Sequence, residues 1–506
     1  MHRETFISMS DCSARLKRRG ICVIIPTFDN AGTIRDVTLR AQSYCDDVFV
    51  IVDGSTDSTP EELEKLPVKP RIISLPSNTG KGNALREGFR AALDAGFSYA
   101  ITLDADGQHF PEDIPSFLEA NIENPGALIV GNRKGLSDAE RSSGSIFANH
   151  FSNFWFFLQT LHPLKDTQSG YRLYPLKRLK CLSCLTSRYE AELELLVLSV
   201  WMGVKIVSIN INVYYPPLEK RVSHFEPVRD FTRISILNTF LCVLAIVFGL
   251  PLMILRQVWA VIKTLVSFLS YVIFTGLIVM PPMLLYLKSG KMTLEKKKNV
   301  HKIIFHSNRL ARKLLPGIPF IQVNRYDETF RKPAIIICNH QSHLDLVQLL
   351  STTPNLTVLT ADYIQNSPLY GYIIKAADFL PVSQGYDSLE TKLKELVSKG
   401  YSIAIYPEGT RSRDCSIGHF HQGAFRLADK LETDIIPMIM YGSGKALPKF
   451  SCILHKWPIY VEIDKRMSPD DIRLLGHSYK EQASGMRKHY MRRYSEVADF
   501  CDRNLI

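Results

Sequence analysis

The sequence predicts an α/β protein: two α/β domains joined by a two-helix membrane hairpin. Three observations carry that prediction. Short apolar runs alternate with helical patterns through residues 21–232, the same alternation returns through 300–478, and the composition between them is almost wholly apolar. At 506 residues the chain exceeds what one core organises. Lys and Arg outnumber Asp and Glu by 61 to 50, a net charge of +11, and hydrophobic residues make up 46%. That balance excludes intrinsic disorder, collagen and a small disulfide scaffold.

Residues 1–20 are expected to form a loose, weakly basic leader, with no apolar run long enough for a signal-peptide core. The runs Ile21–Ile25, Val48–Val52, Ile72–Leu75, Ala100–Leu103 and Leu128–Val130 read as buried strands. Between them lie segments such as Gly82–Ala95, where Leu85, Phe89, Ala92 and Leu93 recur at helical spacing. Strands that alternate with helices imply a mostly parallel sheet covered on both faces. Cys181 and Cys184 form a C-x-x-C with no second pair or nearby His to complete a zinc site, so buried thiols are expected.

The hairpin is expected over 233–288. Positions 234–255 and 264–287 hold no charged residue, and each run exceeds the roughly 20 helical residues that cross a bilayer core. Lys220, Arg221, Arg229 and Arg233 precede the first run, and Lys288, Lys291, Lys296, Lys297, Lys298 and Lys302 follow the second. Basic flanks on both sides are expected to place both flanking domains on the cytoplasmic face of a membrane and give the positive charge a partner in anionic headgroups. No nucleic acid is expected, because no basic module interleaved with aromatics is present. Beyond the hairpin, strands are expected near Ala334–Cys338, Ser402–Tyr406, Asp434–Ile439 and Tyr460–Ile463, and a basic helix over 479–506.

The first chemical centre is Leu103-Asp104-Ala105-Asp106-Gly107-Gln108-His109, directly after a strand. Two carboxylates one residue apart can hold a divalent cation that bridges a diphosphate. Pro26 and Thr27 end the first strand, Asp53 the second, Lys81 opens a helix and Arg133 closes another strand. These are the carboxyl ends at which an open α/β sheet presents ligands. Asp53 suits a base or ribose, while Lys81 and Arg133 suit phosphate.

This set resembles the family 2 glycosyltransferases of the GT-A fold, especially the polyprenyl-phosphate sugar synthases related to dolichyl-phosphate mannose synthase. The resemblance covers about 21–235 and includes Asp166-Thr167-Gln168-Ser169-Gly170-Tyr171-Arg172 and the acidic run Arg188–Glu194. It implies metal and diphosphate binding by Asp104, Asp106 and Gln108, with Mg2+ or Mn2+ as cofactor, and phosphate contacts from Arg133 and Arg172. It departs at Val52, where the family usually carries an acidic residue before Asp53. A phosphate acceptor is anionic and needs no protein base. Glu190, Glu192 and Glu194 are not ranked by the sequence, so none is assigned as a base.

The second centre is Asn339-His340-Gln341-Ser342-His343-Leu344-Asp345 after an apolar strand. A positioned imidazole takes the proton of a hydroxyl that attacks a thioester, and a carboxylate orients it. Five residues on one helix would set the pair about 140° apart, so they must straddle a turn. His343 competes for the imidazole's role but is expected either behind the reacting pair or at the surface. With Tyr406-Pro407-Glu408-Gly409-Thr410-Arg411-Ser412, this centre resembles the glycerol-phosphate and lysophosphatidic acid acyltransferases over about 300–450. The resemblance implies His340 and Asp345 as catalytic residues, and Glu408, Gly409, Thr410 and Arg411 as substrate-binding residues. The donor would be acyl-CoA or acyl carrier protein, with no cofactor. The family's phosphate-clamping arginine is replaced near Ser383.

The expected function is a bifunctional membrane enzyme that transfers a sugar from a nucleotide sugar to a lipid or polyprenyl-phosphate acceptor and an acyl chain to an acceptor hydroxyl. By resemblance, the pathway would be bacterial lipid or aryl-polyene (flexirubin-type) synthesis. The alternative is a polyprenyl-phosphate sugar synthase whose acyltransferase-like half only binds lipid.

Overall fold

The computed structural model describes residues 9–133, 143–182, 184–214, 227–315, 318–360, 366 and 371–505. Lys220 and Arg221 lie outside the described residues. The chain divides into two compact units, one over residues 1–256 and one over 257–501, with the last few residues shared between them.

In the first unit, β1 (Ile21–Thr27), β2 (Val48–Asp53), β3 (Arg71–Leu75), β4 (Tyr99–Thr102), β5 (Leu128–Arg133), β6 (Arg172–Pro175) and β7 (Ile206–Ile211) form one sheet. The order is β3-β2-β1-β4-β6-β5-β7, parallel except for β6, which runs antiparallel to both neighbours. Continuous burial explains the apolar runs. In β1, Ile21, Val23 and Ile25 enter one core with Phe117 and Leu118, while Cys22 and Ile24 enter another with Ala84 and Leu196. Both faces are covered, so a strand gains nothing from alternating polar residues. Residues expected to be a loose leader instead form a helix, Met9–Arg19, because Cys12 and Leu16 bury a stripe against the sheet's core. Cys181 is exposed rather than buried.

The second unit holds β8 (Phe320–Asn324), β9 (Ala334–Cys338), β10 (Leu356–Thr360), β11 (Leu380–Pro381), β12 (Ser402–Ile405), β13 (Asp434–Tyr441) and β14 (Ile459–Ile463). Their order is β11-β10-β12-β9-β13-β14-β8, with β14 antiparallel to β13. Here too one strand serves two cores: Ile335 and Ile337 of β9 face one, Ala334, Ile336 and Cys338 the other. The C-terminal helix Tyr479–Asn504 opens with a capping box, Ser478 against Glu481.

The expected hairpin is not formed. Residues 227–288 are helical without a break: Pro227–Leu244, a π-turn at Ala245–Gly249, Leu250–Ile273, a second π-turn at Phe274–Val279, and Met280–Lys288. Nothing between Arg256 and Lys263 breaks a helix. Each π-turn lies just before a proline, Pro251 or Pro281-Pro282, so the chain absorbs the lost N–H donors by widening the helix rather than reversing. Phe231–Lys288, 58 residues, is long and apolar enough to cross a membrane. Leu237, Leu241 and Ala245 are packed in the first unit's core, and Met280, Met283 and Leu287 in the second's. Between them Ile246, Phe268 and Leu277 are 72%, 67% and 70% exposed.

Candidate functional sites

The first site forms where β1 and β4 lie side by side and their connections depart in opposite directions, a switch point that opens a crevice at the strand ends. Asp104 and Asp106 sit on the turn that follows β4. Lys81, the first residue of the helix Lys81–Asp94, places its Nζ 2.6 Å from Asp104 Oδ1 and 2.9 Å from Glu192 Oε2. Burial alone would lower the Lys81 pKa, but the two carboxylate charges outweigh it and hold the ammonium above its ordinary value. Burial would raise Asp104, and Lys81 holds it below the usual carboxylate range. Asp106 accepts the Gln108 backbone N–H at 3.0 Å and has no ion-pair partner among the described residues. Burial, then the charge of Asp104, pushes its carboxyl up to about 6. His109 is buried and its pKa falls to about 4, so the ring is neutral; its Nδ1 has no hydrogen-bond partner. Gly170 closes the cradle: a Cβ there would lie 2.6 Å from Asp104 Oδ2 and 2.7 Å from Lys81 Nζ.

Several expected ligands are spent on the scaffold. Asp53 is buried and accepts Thr79 N and Oγ1 and Gly80 N at 2.8–2.9 Å, so it pins the turn that carries Lys81. Arg172 is fully buried, and its guanidinium donates to Thr167 O, Ser169 O, Glu192 O and Tyr174 Oη. A phosphate contact expected of Arg172 is therefore not on offer in this geometry. Arg133 forms a two-pronged pair with Asp166 at 2.6 and 2.9 Å. Pro26 and Thr27 close β1, and buried Ala105 accepts Thr33 Oγ1 through its carbonyl.

The structure also ranks the acidic run. Glu194 accepts Leu185 N, Thr186 N and Thr186 Oγ1, a local cap. Glu192 faces Lys81, and its Oε1 is buried without a partner. Glu190 Oε2 is likewise buried and unpartnered. Helical spacing alone hides this division.

The second site lies beyond the carboxyl ends of the neighbouring strands β9 and β12. His340 stands in the turn between β9 and the helix Leu344–Leu350, and Asp345 in that helix's first turn. His340 Nδ1 is 2.9 Å from Asp345 Oδ2. The same oxygen accepts Gln341 N at 2.7 Å and Ser342 N at 2.8 Å, and Asp345 is fully buried. An Nδ1 proton held by Asp345 leaves Nε2 as the basic nitrogen. The imidazole stacks on Tyr406 with centroids 4.1 Å apart. His343 reaches the surface, while partial desolvation of its ring and the nearby charge of Arg411 lower its pKa.

Glu408, expected to bind substrate, accepts His340 N at 2.9 Å through Oε1 and Gly418 N at 2.8 Å through Oε2. Both oxygens are spent on backbone, and burial raises its pKa. A Cβ at Gly418 would come within 2.6 Å of Glu408 Oε2, so a larger residue there would push the carboxylate off its place. Gly409 and Thr410 are exposed, and Arg411 is partly exposed. Ser412 N donates to His340 O at 2.8 Å, which joins the two loops. Ser383 lies exposed in the turn after β11. A cation that spacing did not reveal comes from elsewhere: Lys449 Nζ lies 2.7 Å from Arg411 O and 3.1 Å from Thr410 Oγ1.

Residues 22–175 match the family model Glycosyl transferase family 2, and residues 306–441 match the Acyltransferase model. A UDP-N-acetylglucosamine–dolichyl-phosphate N-acetylglucosaminyltransferase of Methanococcus voltae is 27% identical over 217 residues, 38% of this chain and 86% of the relative. A chloroplastic 1-acyl-sn-glycerol-3-phosphate acyltransferase of Brassica napus is 34% identical over 143 residues, 25% of this chain and 41% of the relative. The chain thus spans under half the length of that relative. The crystal structure of the 1-acyl-sn-glycerophosphate acyltransferase PlsC from Thermotoga maritima aligns with a TM-score of 0.40 and 19% identity, over 48% of this chain and 98% of that one. One polypeptide therefore carries a family 2 glycosyltransferase domain and an acyltransferase domain.

Proposed function

We propose that the protein is a bifunctional membrane-associated transferase that builds a glycosylated, acylated lipid. Its first unit moves a sugar from a nucleotide sugar to a lipid or polyprenyl-phosphate acceptor. Its second esterifies an acceptor hydroxyl with an acyl chain from acyl-CoA or acyl carrier protein. The single observation that carries the two-reaction reading is the His340–Asp345 pair at 2.9 Å with Nε2 left basic, which a domain that merely held lipid would not need.

In the first site, a phosphate acceptor attacks as an anion and needs no proton acceptor, consistent with Glu192 and Asp104 both being held by Lys81. A divalent ion, Mg2+ or Mn2+, fits the Asp104–Asp106 turn. Asp106 is a half-buried carboxyl beside a like charge, with no cation paired to it among the described residues. Among those residues no three His, Cys, Asp or Glu side chains form a ready cage. That suits an ion held by one or two carboxylates and Gln108, with substrate phosphates completing its shell. Bound there, the ion would neutralise charge on the departing nucleotide diphosphate.

In the second site, His340 Nε2 takes the acceptor's hydroxyl proton as the oxygen attacks the thioester carbon. The C–S bond breaks, and the imidazolium returns the proton to the leaving thiolate. Asp345 keeps the ring oriented and stabilises its charged form. The relative from Methanococcus voltae supports a dolichyl- or polyprenyl-phosphate acceptor, and that from Brassica napus an acyl-glycerol-type acceptor. The exposed apolar helix and the lysines beyond it support attachment to the inner membrane from the cytoplasm.

Comparative lipid mass spectrometry on cells making the wild type, Asp106→Ala or His340→Ala tests this function. Loss of one acyl chain in His340→Ala, and of both modifications in Asp106→Ala, is expected for reactions in series. An unchanged lipid profile in His340→Ala overturns the acyltransferase half.

A further inference from the structure

The matched acyltransferase region ends at residue 441, yet the helix Tyr479–Asn504 reaches back to two loops of the second site, those of Gln341 and of Ile417–Gly418. Arg487, Tyr490 and Tyr494, at positions i, i+3 and i+7, share one helical face. Arg487 and Tyr494 spend their polar groups on the loops around His340, and Tyr490 on the strands beside it. Arg487 Nε donates to Gly418 O at 2.7 Å and Nη2 to Ile417 O at 3.0 Å. The N–H of that same Gly418 holds Glu408, which holds the N–H of His340. Tyr490, fully buried, donates its hydroxyl to Ile337 O at 2.5 Å and accepts Met438 N at 2.9 Å, a bridge across the carboxyl ends of β9 and β13. Tyr494 Oη accepts Gln341 Nε2 at 2.7 Å, and the backbone N–H of Gln341 donates to Asp345.

We propose that this helix is a working part of the acyltransferase site, with Arg487 and Tyr494 as positioning residues that fix His340 and Asp345 through Glu408 and Gln341. The proposal rests on the acyltransferase reading given above. A helix that served only as core packing would meet the sheet with apolar side chains. Here two independent chains of hydrogen bonds, one through a carboxylate and one through an amide, run from its face and converge on the two members of one catalytic pair. Such a supporting shell holds a reacting group near its productive geometry, and its loss reaches the rate without reaching the ligand contacts.

The test uses the full-length protein in detergent with four variants: Tyr494→Phe, Arg487→Gln, Arg487→Lys and, as a control on the exposed face of the same helix, Arg492→Gln. Tyr494→Phe keeps the ring that packs edge-on against Tyr441 and removes only the hydroxyl. Labelling of individual histidines by diethyl pyrocarbonate is followed by mass spectrometry, beside the acylated lipid each variant makes in cells. For Tyr494→Phe and Arg487→Gln we expect His340 to label several-fold faster, the exposed His477 to label as in the wild type, and the acylated product to fall at least tenfold. Arg487→Lys should recover part of both changes, and Arg492→Gln should alter neither. Wild-type labelling and product in both Tyr494→Phe and Arg487→Gln overturn the proposal. So does an equal rise at His340 and His477, the mark of general loosening. If His340→Ala leaves the lipids unchanged, the acyltransferase reading fails on its own, and the labelling rates still decide whether the helix braces His340.

Discussion

Glu408 accepts the backbone N–H of His340 at 2.9 Å, so a motif residue expected to meet substrate holds the main chain of the residue proposed as general base. Its other oxygen is closed off by Gly418.

This relationship separates two outcomes for Glu408→Gln. The amide can accept only one of the two N–H groups, and losing a charge-assisted hydrogen bond costs about 1.5–3 kcal/mol. Acyl transfer should fall by roughly 10- to 100-fold in kcat, with KM for the acceptor unchanged. Steady-state kinetics decide it, because a rise in KM alone would return Glu408 to the substrate.

Lys81 neutralises two carboxylates at once. In Lys81→Met, Asp104 and Glu192 would share a pocket with no cation between them. Because Lys81 and Asp104 are only partly buried, the loss should stay below the ~3–5 kcal/mol of a fully buried pair. Thermal unfolding should show the first unit melting earlier, with part of the loss recovered in Lys81→Met/Glu192→Gln. Additive losses in this double-mutant cycle would show that the two side chains do not interact.

Chelation should divide the two reactions. With EDTA, sugar transfer from a radiolabelled nucleotide sugar is expected to stop and to return with Mg2+ or Mn2+, while acyl transfer in the same membranes continues. Sugar transfer that survives exhaustive chelation would remove the ion from the Asp104–Asp106 turn.

His301 predicts an acid-sensitive second unit. The ring is buried against Tyr401 and Phe379, with Asp378 and Lys297 nearby, and burial lowers its pKa from 6.5 to about 4. The unfolded chain therefore takes up the proton first. Its contribution to stability is intact above about pH 6.5 and is lost as pH falls toward about 4, by up to roughly 3 kcal/mol. Unfolding midpoints from pH 7.5 to 4.5 should fall more steeply for the wild type than for His301→Phe. Parallel curves would refute the assignment.

Both α/β halves are legible in the sequence, and the two candidate sites are marked there once Asp104-Ala105-Asp106 and His340 with Asp345 are read together with the motifs at neighbouring strand ends. What spacing does not show is whether a polar group is already satisfied. Asp53, Arg172 and Glu408 all stand in motifs, yet in the fold their hydrogen bonds go to the loops beside them. Conversely, Glu192 is set apart from Glu190 and Glu194 only when Lys81 arrives from another helix. The uninterrupted helix was hidden for a related reason: charge marks the ends of apolar runs, whereas Arg256 and Lys263 continue a helix as readily as they end one.

The bond between Gln341 and Tyr494 spans 153 positions of sequence, and that between Glu408 and His340 spans 68. Contacts so distant along the chain close late, since the intervening loop must first lose its freedom. The apolar strands of the second unit can collapse and pair before their last helix docks. On refolding, secondary structure and compactness should thus return ahead of acyl transfer, and the lag between them measures the time that helix takes to find its place.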